Sequence, residues 1–203
     1  MALLAAVAAL LALSGVAVAG DTVLSGAEGH PRARLPLVLH VAPFDEPALD
    51  AAAARAVEDW NALTSEALGV RVFTATADAA AAQVLVRVEP PGTSGRMGVT
   101  ELDSDAAGVI ALPVRIAVAA PRPRGQVSRE VLLYQVLAHE LGHALGLGHV
   151  SDPRSLMCCA DGAVNFADPA AREAYVTARR HPDVRSARAQ LAEHYRRFWT
   201  RVP

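Results

Sequence analysis

Apolar and polar positions form two patterns along this chain, one with the period of a strand and one with the period of a helix. Apolar residues alternate with other residues over 35–41 and 84–88, which predicts two strands. Short β-branched or apolar runs predict further strands over 70–74, 108–112 and 114–119. Spacings of three and four predict helices over 47–68 and 129–146, followed by two C-terminal helices separated by His181-Pro182. This order of elements predicts an α+β sandwich of the α/β type around one mixed sheet.

Helix-capping residues stand at the expected ends of these helices. Asp45 is expected to cap the first helix, with Pro47 in its first turn, and Gly69 is expected to end it. Ser128 is the predicted cap of the second helix, and Asp168 that of the third.

The first 19 residues form the only long uncharged apolar run of the chain and end in the small-x-small site Ala17-Val18-Ala19. This pattern is typical of a secretory signal peptide, so we predict cleavage after Ala19 and a secreted, periplasmic or extracellular protein. No stable membrane association is expected after cleavage. An uncleaved N-terminal membrane anchor is the alternative, because no Lys or Arg precedes the run. Residues 20–34 are predicted to be a flexible lead-in.

Charge and cysteine content narrow the function classes. The 203 residues include 19 basic and 21 acidic ones, and the net charge of −2 gives no reason to expect nucleic-acid binding. The two cysteines are adjacent and exclude a disulfide framework, and we expect a monomer. The segment 167–203 carries an apolar stripe and an excess of Arg. It is predicted to pack on its own domain with Arg facing solvent, and a membrane-surface helix is the alternative.

The segment HELGHALGLGH, residues 139–149, carries the candidate chemistry of the chain. His139 and His143 are four residues apart on a helix, so both imidazoles project from one face and can reach one ion. Glu140 points to the side of that ion, where it can hold a water molecule. Gly146 allows a positive-φ turn, which brings His149 back as a third ligand. Three neutral imidazoles leave a fourth position open, as in catalytic zinc sites.

This segment resembles the long zinc motif of the metzincin metallopeptidases. The sequence VSDPRSLM follows it and places Met157 eight residues after the third His, which is similar to the Met-turn of the matrixin branch. The resemblance is specific over 139–157 and loose over 35–138. It implies a metzincin-like catalytic domain over 35–166, with a mostly parallel twisted sheet, an active-site helix and a backing helix. The segment 167–203 would add C-terminal helices.

The resemblance also implies roles for the residues of the motif. His139, His143 and His149 would bind one catalytic Zn²⁺, and Met157 would form a hydrophobic floor under them. The implied reaction is hydrolysis of internal peptide bonds in a protein or peptide substrate by a metal-activated water, with Glu140 as the general base. The alternative is a catalytically silent zinc-binding module that recognises a peptide or a cell-wall component, and an intact Glu140 favours the enzyme.

The family binds its substrate as an added strand along a sheet edge above the zinc. The candidate edge in this chain is formed by Val109, Ile110 and Ala111. Val136 and the loop 158–166 are expected to wall the primary specificity pocket.

Two features of the sequence leave alternatives open. Glu101, Asp103 and Asp105 are able to bind calcium, but a solvated acidic turn is the favoured interpretation. Cys158 and Cys159 can form a vicinal disulfide, pair between molecules or stay free thiols, and free thiols are favoured.

Overall fold

A computed structural model describes residues 24–90, 96–122, 127–159 and 162–202. The predicted signal peptide lies outside the described residues, as do residues 160 and 161 of the predicted pocket loop. Across the described ranges, none of the helices combines the length and apolar character needed to cross a membrane.

A five-stranded sheet forms the centre of the fold. The strands lie in the order β2-β1-β3-β5-β4, and all neighbouring pairs are parallel except β4 and β5. The expected mixed, mostly parallel sheet is therefore confirmed. The strands are β1 (Leu37–Val41), β2 (Phe73–Ala75), β3 (Val84–Glu89), β4 (Gly98–Glu101) and β5 (Val114–Ala119).

Two helices pack together beside this sheet and correspond to the expected backing and active-site helices. They are α1 (Pro47–Leu68) and α2 (Arg129–Ala144). The fully buried Trp60 of α1 donates a hydrogen bond of 2.8 Å from its indole nitrogen to the carbonyl oxygen of Ala138 in α2. Because an indole N–H must find a partner when it is buried, this bond contributes to the fixed position of α2 on α1.

The predicted ends of α1 are confirmed at one end only. Gly69 ends the helix in the left-handed conformation at φ 69°, as expected. At the start of α1, Glu46 takes the capping position without a side-chain cap bond, and Asp45 lies one residue further out with φ 58°. Pro47 still occupies the first turn, where its missing N–H costs no helical hydrogen bond.

The strand prediction fails at the edge of the sheet nearest α2. The expected strand 108–112 is not part of the sheet, and its backbone pairs with two loops instead: Ile110 N donates to Gly29 O (3.0 Å) and Ala111 N to Asp103 O (2.8 Å). The edge strand is β4, in a region where the sequence predicted a loop up to residue 98. A four-residue strand that begins with glycine has too few alternating positions for its period to be recognised.

The residues just before β1, within the predicted flexible lead-in, are hydrogen-bonded to other parts of the domain. Gly29 N donates to Gly108 O at 2.9 Å, and the ring of the fully buried His30 bonds to Ala144 O at the end of α2 at 2.9 Å. Trp199 donates from its indole to His30 O at 3.0 Å. The backbone and ring of His30 thus connect this polar stretch to the end of α2 and to the C-terminal helix.

The C-terminal segment packs its apolar residues into the core of the domain. It forms α3 (Pro169–Arg180), capped by Asp168, and α4 (Arg188–Arg201). The apolar stripe is at least 98% buried and consists of Val184, Ala187, Leu191, Tyr195 and Phe198. The packing on the domain, and not the membrane-surface alternative, is what the structure shows for this stripe.

Burial of His30 leads to a prediction about acid stability. Burial lowers the pKa of His30 to about 4, well below the ordinary value of about 6.5. Because the unfolded chain binds the proton more tightly, the contribution of neutral His30 is complete above pH 6.5 and is lost as the pH falls towards 4. We expect His30→Gln, which can still bond to Ala144 O, to remove up to about 3 kcal/mol of the acid-dependent loss of stability.

The measurement is urea unfolding of both proteins in chelator at pH 7 and at pH 4.5. The difference between the two proteins isolates His30 from the other histidines. An equal loss of the free energy of unfolding in the two proteins would contradict the prediction.

Candidate metal centre

The first two candidate ligands lie on α2, and the sequence places them there by ordinary capping chemistry. The hydroxyl of Ser128 accepts from Val131 N at 3.3 Å, which confirms Ser128 as the cap. From that start, His139 and His143 fall one turn apart on the same side of the helix.

The third candidate ligand depends on a glycine turn after α2. Gly146 has φ 85°, and a β-carbon there would overlap the carbonyl oxygen of Glu28. Both the backbone conformation and the close approach therefore require glycine. The chain reverses at this turn and returns His149 to the face that carries the other two histidines.

The three imidazoles converge on one point. The distances between their Nε2 atoms are 3.0 Å for His139 and His143, 3.1 Å for His139 and His149, and 3.2 Å for His143 and His149. Within the described part of the chain, the group of side chains able to hold a metal ion consists of these three residues.

The backbone around the site determines which ring nitrogens face inward as acceptors. Nδ1 of His139 lies 2.8 Å from Leu156 O, and Nδ1 of His143 lies 2.7 Å from Leu147 O. A carbonyl oxygen only accepts, so each Nδ1 carries the proton and each Nε2 presents a lone pair.

The protonation state of these rings fits a cation. Burial lowers the pKa of His139 to about 3 and that of His143 to about 4, so both rings are neutral at pH 7. Inward-facing lone pairs at about 3 Å repel one another unless a cation lies between them. The set therefore fits a zinc ion with nitrogen ligands at about 2.0–2.1 Å.

Glu140 lies beside this group and is not part of it. The residue is 6% exposed, and its carboxylate accepts a hydrogen bond of 2.7 Å from the Thr100 hydroxyl on β4. Burial raises the pKa of Glu140 to about 7, although the Thr100 hydrogen bond and the charge of Arg96 act in the opposite direction. A carboxylate with this pKa exchanges a proton readily near neutral pH.

Met157 lies behind the helix that carries the ligands. It is fully buried, and a β-carbon on Gly142 would overlap its sulfur atom. Its carbonyl oxygen accepts from Val150 N at 3.1 Å, next to His149 in the chain. Met157 therefore packs against α2 directly beside His143, and its backbone is bonded to the segment that carries His149.

The C-terminal segment also supports the loop of the third histidine, which the sequence analysis missed. The Tyr195 hydroxyl donates to Leu145 O at 3.0 Å, and the Gln190 amide donates to Gly148 O at 2.7 Å. No local pattern indicates these contacts, because they join residues more than 40 positions apart whose side chains meet only in the folded chain.

The expected substrate residues separate into two groups. Val136 lies one turn before Glu140 on α2, and a β-carbon on Gly98 would come within 2.7 Å of its Cγ1, so it lines the space between α2 and β4. Val109, Ile110 and Ala111 do not form the sheet edge, since their backbone is already paired with the loops described above. The strand at that edge is β4.

The structure also describes the acidic turn around Asp105 and the two adjacent cysteines, for which the sequence left alternatives open. Asp105 accepts hydrogen bonds of 2.9 Å from Ala107 N and Val109 N, and it forms no metal-binding group with Glu101 or Asp103 within the ranges described. The sulfur atoms of Cys158 and Cys159 lie against each other, which is the arrangement of the vicinal-disulfide alternative.

Comparison with known proteins identifies the family. The family model described as Matrixin matches residues 51–165, which is more than half of the 203-residue chain. The matched range runs from α1 through the three histidines and past Met157. No curated protein matches the chain significantly. The family match confirms the resemblance seen in the motif, and the chain belongs to the matrixin family, whose members are zinc metallopeptidases.

Proposed function

We propose that this protein is a secreted zinc-dependent endopeptidase in which Glu140 is the general base. The observation that carries the proposal is a buried carboxylate beside three convergent imidazoles, of which those of His139 and His143 are neutral at pH 7. A purely structural zinc site has no use for such a group, whereas hydrolysis needs a base within reach of the attacking water.

Zinc bound by His139, His143 and His149 would lower the pKa of a water molecule and polarise the scissile carbonyl. Glu140 accepts a proton from the attacking water as the new C–O bond forms. It then donates that proton to the departing nitrogen, so the C–N bond breaks to a carboxylic acid and an amine, which at neutral pH become a carboxylate and an ammonium group.

The substrate is proposed to lie alongside β4. This strand ends the sheet and pairs with β5 on one side, so the backbone groups on its other side face away from the sheet. An extended peptide can pair with such an edge, and its scissile bond would then lie next to α2. Val136, which lines the space between α2 and β4, would contact a substrate side chain there.

The test is cleavage of casein and of a quenched peptide library by the chain beginning at Gly20. We expect internal cuts that stop when a chelator removes zinc and resume when zinc is restored. Zinc-loaded protein that captures peptides without cutting them would contradict the proposal and support the silent recognition module.

Secretion is tested separately, on the protein produced in a bacterial host. N-terminal sequencing of the exported chain is expected to begin at Gly20. A chain that keeps residues 1–19 and sediments with membranes would support the anchored alternative.

A further inference from the structure

The edge strand β4 contacts the Glu140 carboxylate with two of its residues. Gly98 and Thr100 are two positions apart, so they point to the same face of the strand. Thr100 is 8% exposed, and its hydroxyl lies 2.7 Å from Oε2 of Glu140 and 3.1 Å from the Glu140 carbonyl oxygen. A β-carbon on Gly98 would come within 2.5 Å of Oε1 and 2.7 Å of Cγ of Glu140. The strand β4 therefore restricts the position of both carboxylate oxygens of Glu140.

We propose that Thr100 is a positioning residue for the general base and that Gly98 provides the space which the carboxylate occupies. The inference rests on the proposed function, because it concerns the same carboxylate. A hydroxyl has one proton to donate, and the shorter contact is the one to the charged oxygen, which is the stronger acceptor.

The physical reason lies in the freedom of the Glu side chain. Three rotatable bonds connect its carboxylate to the backbone, and an ion held by three imidazoles would attract it. The Thr100 hydroxyl holds Oε2 on the β4 side, and the absent side chain of Gly98 lets Oε1 lie against the strand. The carboxylate thus stays beside the ion and leaves the fourth position open for water and substrate.

A purely structural role for Thr100 makes different predictions. Valine has nearly the same shape as threonine but lacks the hydroxyl, while serine keeps the hydroxyl and lacks the methyl group. A packing residue tolerates Thr100→Val better than Thr100→Ser, whereas a positioning residue shows the reverse order. The matched control is Thr74→Val, because Thr74 is an exposed threonine on β2 at the opposite edge of the sheet.

The experiment measures kcat and KM for peptide cleavage, bound zinc and the thermal midpoint for each variant. We expect Thr100→Val to lower kcat about tenfold or more, as removal of a partner that orients a metal-site group does. Its KM, zinc content and thermal midpoint should stay close to those of the wild type, and Thr100→Ser should restore most of kcat. Wild-type kcat in Thr100→Val, or equal losses in the Val and Ser variants, would overturn the inference.

A second variant decides the matter if Thr100→Val loses zinc. Gly98→Ala places a methyl group against Oε1 and is expected to lower kcat with zinc retained. Wild-type kcat or loss of zinc in Gly98→Ala would then overturn the inference. If the wild type cleaves nothing, the proposed function fails and this inference falls with it. If the wild type cleaves, Glu140→Gln does not and Thr100→Val is unimpaired, only the positioning role is wrong.

Discussion

Replacing Glu140 by Gln is expected to lower kcat for peptide cleavage by roughly 10²–10⁴-fold, the usual contribution of a positioned general base. Glutamine has the shape of glutamate, and its amide oxygen can still accept the hydrogen bond from Thr100. The amide does not take a proton from water, however, so only the chemical step is lost. Because the metal-binding group does not include Glu140, zinc content should not change.

The measurement is steady-state cleavage of a quenched peptide, with zinc determined by elemental analysis on the same samples. Glu173→Gln is the matched control, because Glu173 is an exposed residue of α3 outside the site. Its kcat should equal that of the wild type. A Glu140→Gln protein that cleaves at the wild-type rate would show that another group removes the proton.

The second large effect is expected at the third ligand. His149→Ala should weaken zinc binding by roughly several hundred-fold. The free energy of a zinc site, about 10–16 kcal/mol, is shared among its ligands, and about 1.4 kcal/mol corresponds to a factor of ten. His149 is exposed, whereas the core of the domain is formed by other residues, so the variant should fold. Cleavage should fall in parallel and recover only at high zinc concentration.

Zinc affinity is measured by competition with a chelator of known affinity, and circular dichroism checks the fold. His181→Ala provides the control, since His181 is an exposed histidine at the end of α3. Unchanged zinc affinity in His149→Ala would remove His149 from the site and leave two ligands, too few for the catalytic arrangement.

The predicted fold was most accurate where local chemistry alone controls the chain. Ser128 begins α2, Gly69 ends α1 and Gly146 turns the chain, because capping and positive-φ preferences act over a few residues. The period of the apolar residues predicted α4 and its buried face for a similar reason.

The errors occurred where one segment depends on another that is distant in sequence. β4 is a four-residue strand that is stabilised by pairing with β5. Residues 108–112 do not form the predicted strand, because their backbone pairs with the loops at Gly29 and Asp103. His30 lies in a polar stretch that suggested flexibility, yet its ring bonds to the end of α2. Such contacts depend on tertiary packing, which overrides local preference.

By itself, the sequence determined the ligand set. His139 and His143 are one helical turn apart, and the turn at Gly146 returns His149 to the face that carries them. These residues all lie within the eleven positions 139–149. Only the tertiary structure decided what surrounds the ligands: the β4 edge, the Thr100 contact to Glu140 and the bonds from α4 to the loop of His149. Helical spacing is a local property of the backbone, whereas these contacts form only when separate elements of the chain pack against one another.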